Sequence, residues 1–293
     1  MSLSRGIAWL LLAVTMFVTM DSIAKFMTVR FSVTEIVWAR YFFHLVAMLP
    51  ILVWYGPWRV ATTARPGFHF LRSVALLGSS LLFNLGLRQM PLATVTAIIY
   101  SSPLIITAIA ALFLNEKVGL GRWVAVMVGF VGVIVVARPT SDSFDAVVLF
   151  PLGAALCYSV YQLATRALSV RDGPLTTVFW TGLGGCLVIS PALPWTWQAP
   201  DVAGWALLAT YGVLGFTSHF TLVLAYRHAS ASVLAPFFYV QLVLAIVAGV
   251  VFFHSFPDAW TFFGILLICG SGIYVWYSQR RQRGGAATRD NSS

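Results

Sequence analysis

Ten apolar runs, at 6–27, 33–55, 66–88, 91–114, 119–137, 148–168, 174–195, 202–225, 230–254 and 257–279, succeed one another along the chain with only short joints between them. Each is long enough for a helix rising about 1.5 Å per residue to cross a hydrocarbon core about 30 Å thick. Inside lipid the backbone must satisfy its own polar groups, so a continuous run of this length forms a helix, whereas a barrel strand alternates apolar and polar over about 10 residues. The chain is 59% hydrophobic and 9% charged, and a soluble domain carries about 25% charge to face water. The pattern predicts an all-α polytopic membrane protein of ten transmembrane helices.

The joints are polar or marked by Pro and Gly, as at Gly56-Pro57, Arg65-Pro66, Asn115-Glu116-Lys117, Asp172-Gly173-Pro174 and Phe256-Pro257-Asp258. The first run has only Arg5 before it and carries Asp21 and Lys25, which reads as a retained helix rather than a signal peptide. With the amino terminus inside, 13 Lys and Arg residues fall on the inner side. Lys25, Arg30, Arg88 and Arg138 fall on the outer side, and Arg40 lies within a run. That asymmetry predicts cytoplasmic termini in an inner-membrane protein. The aromatic pairs Trp54-Tyr55 and Trp276-Tyr277 fall at the inner interface, and Trp195 and Trp197 at the outer. The net charge of +9 is membrane-flanking charge rather than a nucleic-acid surface, since it collects at run ends and in the 281–293 tail, a basic cytoplasmic segment read as disordered. Cys157, Cys186 and Cys269 stand alone in separate runs, without metal-ligand spacing, so neither a metal nor another cofactor is expected.

The chain repeats itself. Arg88 and Arg227, and Tyr100 and Tyr239, recur at an offset of 139, as do Ser79 with Ser218 and Ser80 with His219. At 141, Phe17 meets Tyr158, Asp21 meets Gln162, Lys25 meets Arg166 and Pro50 meets Pro191, and at 140 Gly132 meets Gly272. Two halves, 1–139 and 140–280, each with an odd number of spans, must enter the membrane from opposite faces. Inverted five-helix repeats of this kind characterise carriers that rock about a site near the midplane.

Polar groups within the runs carry the candidate site, because a charge at the bilayer centre costs about 2.5–3.5 kcal/mol. Asp21 and Lys25, four apart, read either as a self-neutralising pair or as a substrate or proton site at Asp21. Arg40 lies too deep to snorkel and needs a buried acid, for which Asp21 is the natural partner, or an anionic substrate group; His44 lies deeper on the same face. Tyr100 and Tyr239 fall at mid-depth beside Ser101, Ser102 and Gln241, as walls of a cavity where a planar ring stacks and a cation sits over a ring face. Pro103 and Pro236 each remove a helical hydrogen bond and predict a bend or a freed carbonyl. Gln162, Phe237, Phe238, Asn84 and His219 join the candidate lining. Gly129, Gly132, Gly270 and Gly272 read as close helix-packing positions or as a homodimer contact.

Ser-Ser-Pro-Leu at 101–104, Leu114-Asn115-Glu116-Lys117, the Gly129–Gly132 segment and Trp38-Ala-Arg40-Tyr-Phe resemble the drug/metabolite transporter superfamily in its ten-span EamA-type branch. Within it, Arg65-Pro66, Leu71-Arg72, Ala235-Pro236 and Phe256-Pro257-Asp258 look most like the bacterial S-adenosylmethionine carriers; riboflavin carriers are similar over the first half. One departure is His254-Ser255 where many members carry a glutamate matching Glu116. The resemblance implies secondary transport of a small metabolite. S-adenosylmethionine is the first candidate, its adenine and sulfonium against the tyrosines and its carboxylate on Arg40; riboflavin, an amino acid or a nucleoside are the alternatives. No GxxxxGK[ST] motif provides for ATP as the direct drive, which leaves a gradient, exchange, or protons on Asp21, Glu35 or a histidine. No HExxH helix or paired Asp set suggests an intramembrane enzyme, and no selectivity loop suggests a channel.

Overall fold

A computed structural model describes residues 3–113, 118–137, 146–168, 172–229 and 231–290, and the side chains among them except those of 231, 232, 235 and 279–290. Ten helices long and apolar enough to cross a membrane follow in order: α1 Leu3–Met27, α2 Val33–Tyr55, α3 Pro66–Gln89, α4 Leu92–Phe113, α5 Leu120–Ala137, α6 Ala146–Leu168, α7 Pro174–Trp195, α8 Val202–His228, α9 Pro236–Phe253 and α10 Ala259–Ser278. No strand occurs among the described residues. Asn115, Glu116, Lys117, Arg138, Arg171 and Ser230 lie outside them.

The helix ends follow local chemistry. Ser32 caps α2 by accepting from the Glu35 N–H at 3.2 Å, and Asp201 caps α8 by accepting from the Gly204 N–H at 2.8 Å. Pro57, Pro66 and Pro174 open their helices, where a missing N–H costs nothing. Gly56, at φ 83°, turns the chain between α2 and the short helix Pro57–Ala61.

Two spans are broken at corresponding depths. In α4 the helix stops at Ile99, turns through Tyr100 and Ser101, and resumes at Ser102. Pro103 offers no N–H, and its ring would meet the Ile99 carbonyl; the hydroxyls of Ser101 and Ser102 donate instead to the carbonyls of Ile98 (2.7 Å) and Ile99. The ninth run is likewise a short helix, Ala231–Leu234, then a 3-10 segment through Pro236 to Tyr239, then a helix from Val240.

The principal helix pairings are unchanged when the halves are exchanged. α1 packs on α8 as α6 packs on α3, α2 on α8 as α7 on α3, and α1 on α9 as α6 on α4; α2–α7, α4–α9 and α5–α10 map onto themselves. The α5–α10 pair is closely fitted, since a Cβ at Gly132 would stand 2.8 Å from the Gly264 carbonyl oxygen. Gly129 abuts Leu104 and Ser271, but Gly270 faces open space and is no packing position. The largest buried cluster, including Met27, Phe31, Ile36, Leu87, Leu92 and Leu208, lies where α1 ends and α2 begins, opposite the amino-terminal end. Val53, Phe113, Leu120, Ile134, Phe252 and Leu266 are exposed around the outside, an apolar surface suited to lipid.

The last helix runs from Ala259 to Asp290 in the described backbone, whereas sequence ends it near 280 and treats 281–293 as a disordered tail. No proline follows Pro257, and a helix already nucleated extends by one hydrogen bond per residue.

Candidate functional site

A cavity of about 710 Å3 lies between the halves. Its lining extends from Thr96 and Asp21 in one third of the bundle to Asp172, Pro174 and Trp276 at the amino-terminal end, so it opens toward that end. Trp276, which sequence assigns to the inner interface, lines the opening.

At mid-depth the breaks of α4 and α9 meet. The Tyr100 and Tyr239 rings have centroids 5.5 Å apart, tilted at 45°. The Tyr100 hydroxyl lies 2.8 Å from the Phe238 carbonyl oxygen and 3.0 Å from Gln241 Oε1, donating across the junction. The 3-10 geometry around Pro236 leaves Phe238 without an ordinary i+4 helical donor, which is why its carbonyl is available here. Tyr239 closes over Gly272 of α10, where a side chain would occupy the place of its hydroxyl.

On the first-half wall, Arg40 Nη1 donates to Ser80 Oγ at 2.8 Å, and Tyr41 OH lies 3.2 Å from the same oxygen. Asp21 is 8% exposed and faces the cavity. The ion pairs among the described residues are Arg30–Asp201 and His69–Asp172, so the contact pair between Asp21 and Arg40 expected from sequence is not formed. Nor do Asp21 and Lys25 neutralise each other. Lys25 Nζ turns to the Leu87 and Met90 carbonyls (2.8 Å to Met90), satisfying acceptors that the end of α3 leaves open.

Of the residues singled out in sequence, Asp21, Arg40, His44, Tyr100, Ser102, Pro103, Gln162, His219, Pro236, Phe238, Tyr239 and Gln241 line the cavity. Ser101 and Asn84 are fully buried behind the wall. The Ser101 hydroxyl is turned to Ile98 within the break, and Asn84 Nδ2 donates to the Ser80 carbonyl at 2.8 Å, supporting the serine that holds Arg40.

Sequence missed Tyr158, Tyr161, Ser80 and above all Arg72 as lining residues. Arg72 donates to Thr165 Oγ1 (2.6 Å), the Thr177 carbonyl (2.8 Å), Thr181 Oγ1 (2.5 Å) and Tyr161 OH (2.9 Å), and its guanidinium carbon lies 4.6 Å from the Tyr161 ring centroid. It ties α3 to α6 and α7. The signal was present: an arginine inside an apolar run carries the same insertion cost as Arg40, yet its nearness to Pro66 places it among the end charges.

The two ends differ. At the amino-terminal end, Asp172 accepts from Thr63 Oγ1 and His69 Nε2, each at 2.9 Å. Burial pushes the Asp172 carboxyl up, but those hydrogen bonds outweigh it and hold it below the usual carboxylate range. At the opposite end, Arg30 reaches Asp201 at 3.2 Å, and Trp197 stacks obliquely or edge-on against Trp38 and Trp205, over the large buried cluster. That end is shut. A separate depression of about 520 Å3 on the outside, from Leu120 to Val131 with Leu267, is lined by apolar side chains and offers no comparable chemistry.

Comparison with known proteins agrees with this architecture. An "S-adenosylmethionine uptake transporter" of Rickettsia bellii is 30% identical over 278 residues, covering 95% of each chain, and that of Rickettsia conorii is 29% identical over 276 residues, covering 94% of each. A "Riboflavin transporter" of Vibrio cholerae is 31% identical over 290 residues, covering 95% of this chain and 96% of the relative. One solved protein chain superposes with a TM-score of 0.67 at 16% identity, covering 96% of this chain and 99% of that one, a likeness of fold alone. The EamA-like transporter family matches twice, over residues 4–138 and again over 146–277. With both halves matched, this multi-pass membrane protein belongs to the EamA-like transporter family.

Proposed function

We propose that the chain carries a small organic metabolite across the inner membrane by alternating access, with S-adenosylmethionine as the first candidate. The observation that carries this reading is the cavity where the broken α4 and α9 meet, open toward the amino-terminal end and shut at the other. Broken helices around a midplane site, in halves related by exchange, are the arrangement in which rocking one half against the other reverses the opening. Five spans per half place the second half in the opposite sense. With the amino terminus cytoplasmic, as the Lys and Arg asymmetry favours, the state described is inward-open.

The cavity volume of about 710 Å3 falls within the range of about 300–1,000 Å3 usual for small organic ligands. Tyr100, Tyr158, Tyr161 and Tyr239 line it, offering ring faces to an adenine and to a cationic sulfur. The Rickettsia relatives bear the corresponding name. The Vibrio relative and the same aromatic wall favour riboflavin as the second reading. The test is counterflow in proteoliposomes containing the purified protein. Saturable uptake of labelled S-adenosylmethionine, accelerated by unlabelled compound inside, supports the carrier; ohmic conductance or chemical turnover would contradict it.

A further inference from the structure

We infer that Asp21 and Arg40 are the two poles of a subsite for a zwitterionic head group, an ammonium beside a carboxylate as in an α-amino acid. Both face the cavity, and both sit where a charge is costly without a partner. Neither has an oppositely charged side chain in contact, since the ion pairs among the described residues lie elsewhere. Lys25, the base nearest Asp21 in sequence, is committed to the Leu87 and Met90 carbonyls. No hydrogen bond to the Asp21 carboxylate is formed among the described residues. Arg40 gives one donor to Ser80, and a guanidinium has five.

An acid and a base that share a cavity wall without closing on each other form a split pair. A ligand with the complementary charges bridges it, its carboxylate on the guanidinium and its ammonium on the carboxylate. The repeat sharpens the point. At the offset of 141, Asp21 corresponds to Gln162 and Arg40 to Thr181, both uncharged. The head group is therefore held on the first half, and the rest of the ligand extends toward the tyrosines. Riboflavin has no such head and leaves both charges unpaired.

This inference rests on the cavity being the transport site, and a ligand series separates its failure from that of the S-adenosylmethionine reading. Binding to the purified full chain is measured by thermal stabilisation with S-adenosylmethionine, S-adenosylhomocysteine, decarboxylated S-adenosylmethionine, 5′-methylthioadenosine, riboflavin and free α-amino acids. Two matched pairs isolate the head from the sulfur charge: the decarboxylated compound should bind about tenfold or more weakly than S-adenosylmethionine, both being sulfonium ions, and 5′-methylthioadenosine about tenfold or more weakly than S-adenosylhomocysteine, both having a neutral sulfur. Arg40→Gln should erase the penalty for the missing carboxylate, and Asp21→Asn should leave the decarboxylated compound and S-adenosylmethionine both weakened. The wild-type series decides the matter even if a variant misfolds. Equal binding of adenosyl compounds with and without the head overturns the subsite and leaves the adenosyl reading standing. Head-dependent binding of free amino acids without any adenosyl compound upholds the subsite and removes S-adenosylmethionine. Binding of riboflavin alone, or of none of these compounds, overturns the subsite.

Discussion

Tyr100 and Tyr239, one from each half, face one another at a centroid separation of 5.5 Å where two interrupted helices meet. The Tyr100 hydroxyl, donating to Phe238 and Gln241, makes the junction a hydrogen-bonded contact as well as a packed one. A movement of α9 against α4 must break or slide that bond, so it links cavity shape to conformation.

Removing either ring should weaken ligand binding while leaving the protein folded. Tyr100→Ala and Tyr239→Ala are each expected to cost about tenfold in affinity, the scale of one lost aromatic or cation–π contact. Tyr100→Phe keeps the ring and loses the junction bond, so it should alter transport rate more than affinity. Thermal-shift titration paired with counterflow rates checks both. Wild-type affinity in both alanine variants would remove the tyrosines from the site.

Lys25 holds the end of α3 through two carbonyls at the closed end. Lys25→Met leaves those acceptors without their charged donor, and bonds to charged groups contribute about 1.5–3 kcal/mol. Faster amide hydrogen exchange over residues 86–92 is expected, together with increased access from that end. Unchanged exchange would show that packing alone closes it.

Asp201 lies outside the spans and is held below its ordinary value of 3.8, first by the Gly204 N–H and then by Arg30. A lowered carboxyl contributes stability that is fully present above its ordinary value and lost as pH falls through the lowered one; Asp172 has the same sign. Thermal stability followed from about pH 6 to about pH 3 should therefore fall, and part of that fall should be absent in Asp201→Asn. Parallel curves for wild type and variant would contradict the assignment.

The α5–α10 contact tolerates no side chain at Gly132, since a Cβ there would crowd the Gly264 carbonyl at 2.8 Å. Gly132→Leu should destabilise by about 1–3 kcal/mol or more through overpacking. The same change at Gly270, which meets nothing within 4 Å, should be close to neutral. Melting temperatures in one detergent compare the two directly.

The spans were legible because apolar length alone decides them in lipid, and the break in α4 because Pro103 follows two serines able to satisfy the freed carbonyls. What faces what was less legible. Helices apolar all round carry no stripe that points to a partner, so Gly264 opposite Gly132 and Asn84 behind Ser80 emerge only from packing. Lys25 illustrates the same limit: its spacing from Asp21 predicts a local pair, but the end of α3 offers it two bare carbonyls. Arg72 was hidden by its nearness to a span end, although it reaches inward to α6 and α7.

The most direct measurement is an experimental structure of the protein with S-adenosylmethionine bound. Ligand density is expected inside the cavity, in contact with both Tyr100 and Tyr239 and with its amino-acid end between Asp21 and Arg40. Density on the outer surface, or in a cavity these residues do not line, would contradict it.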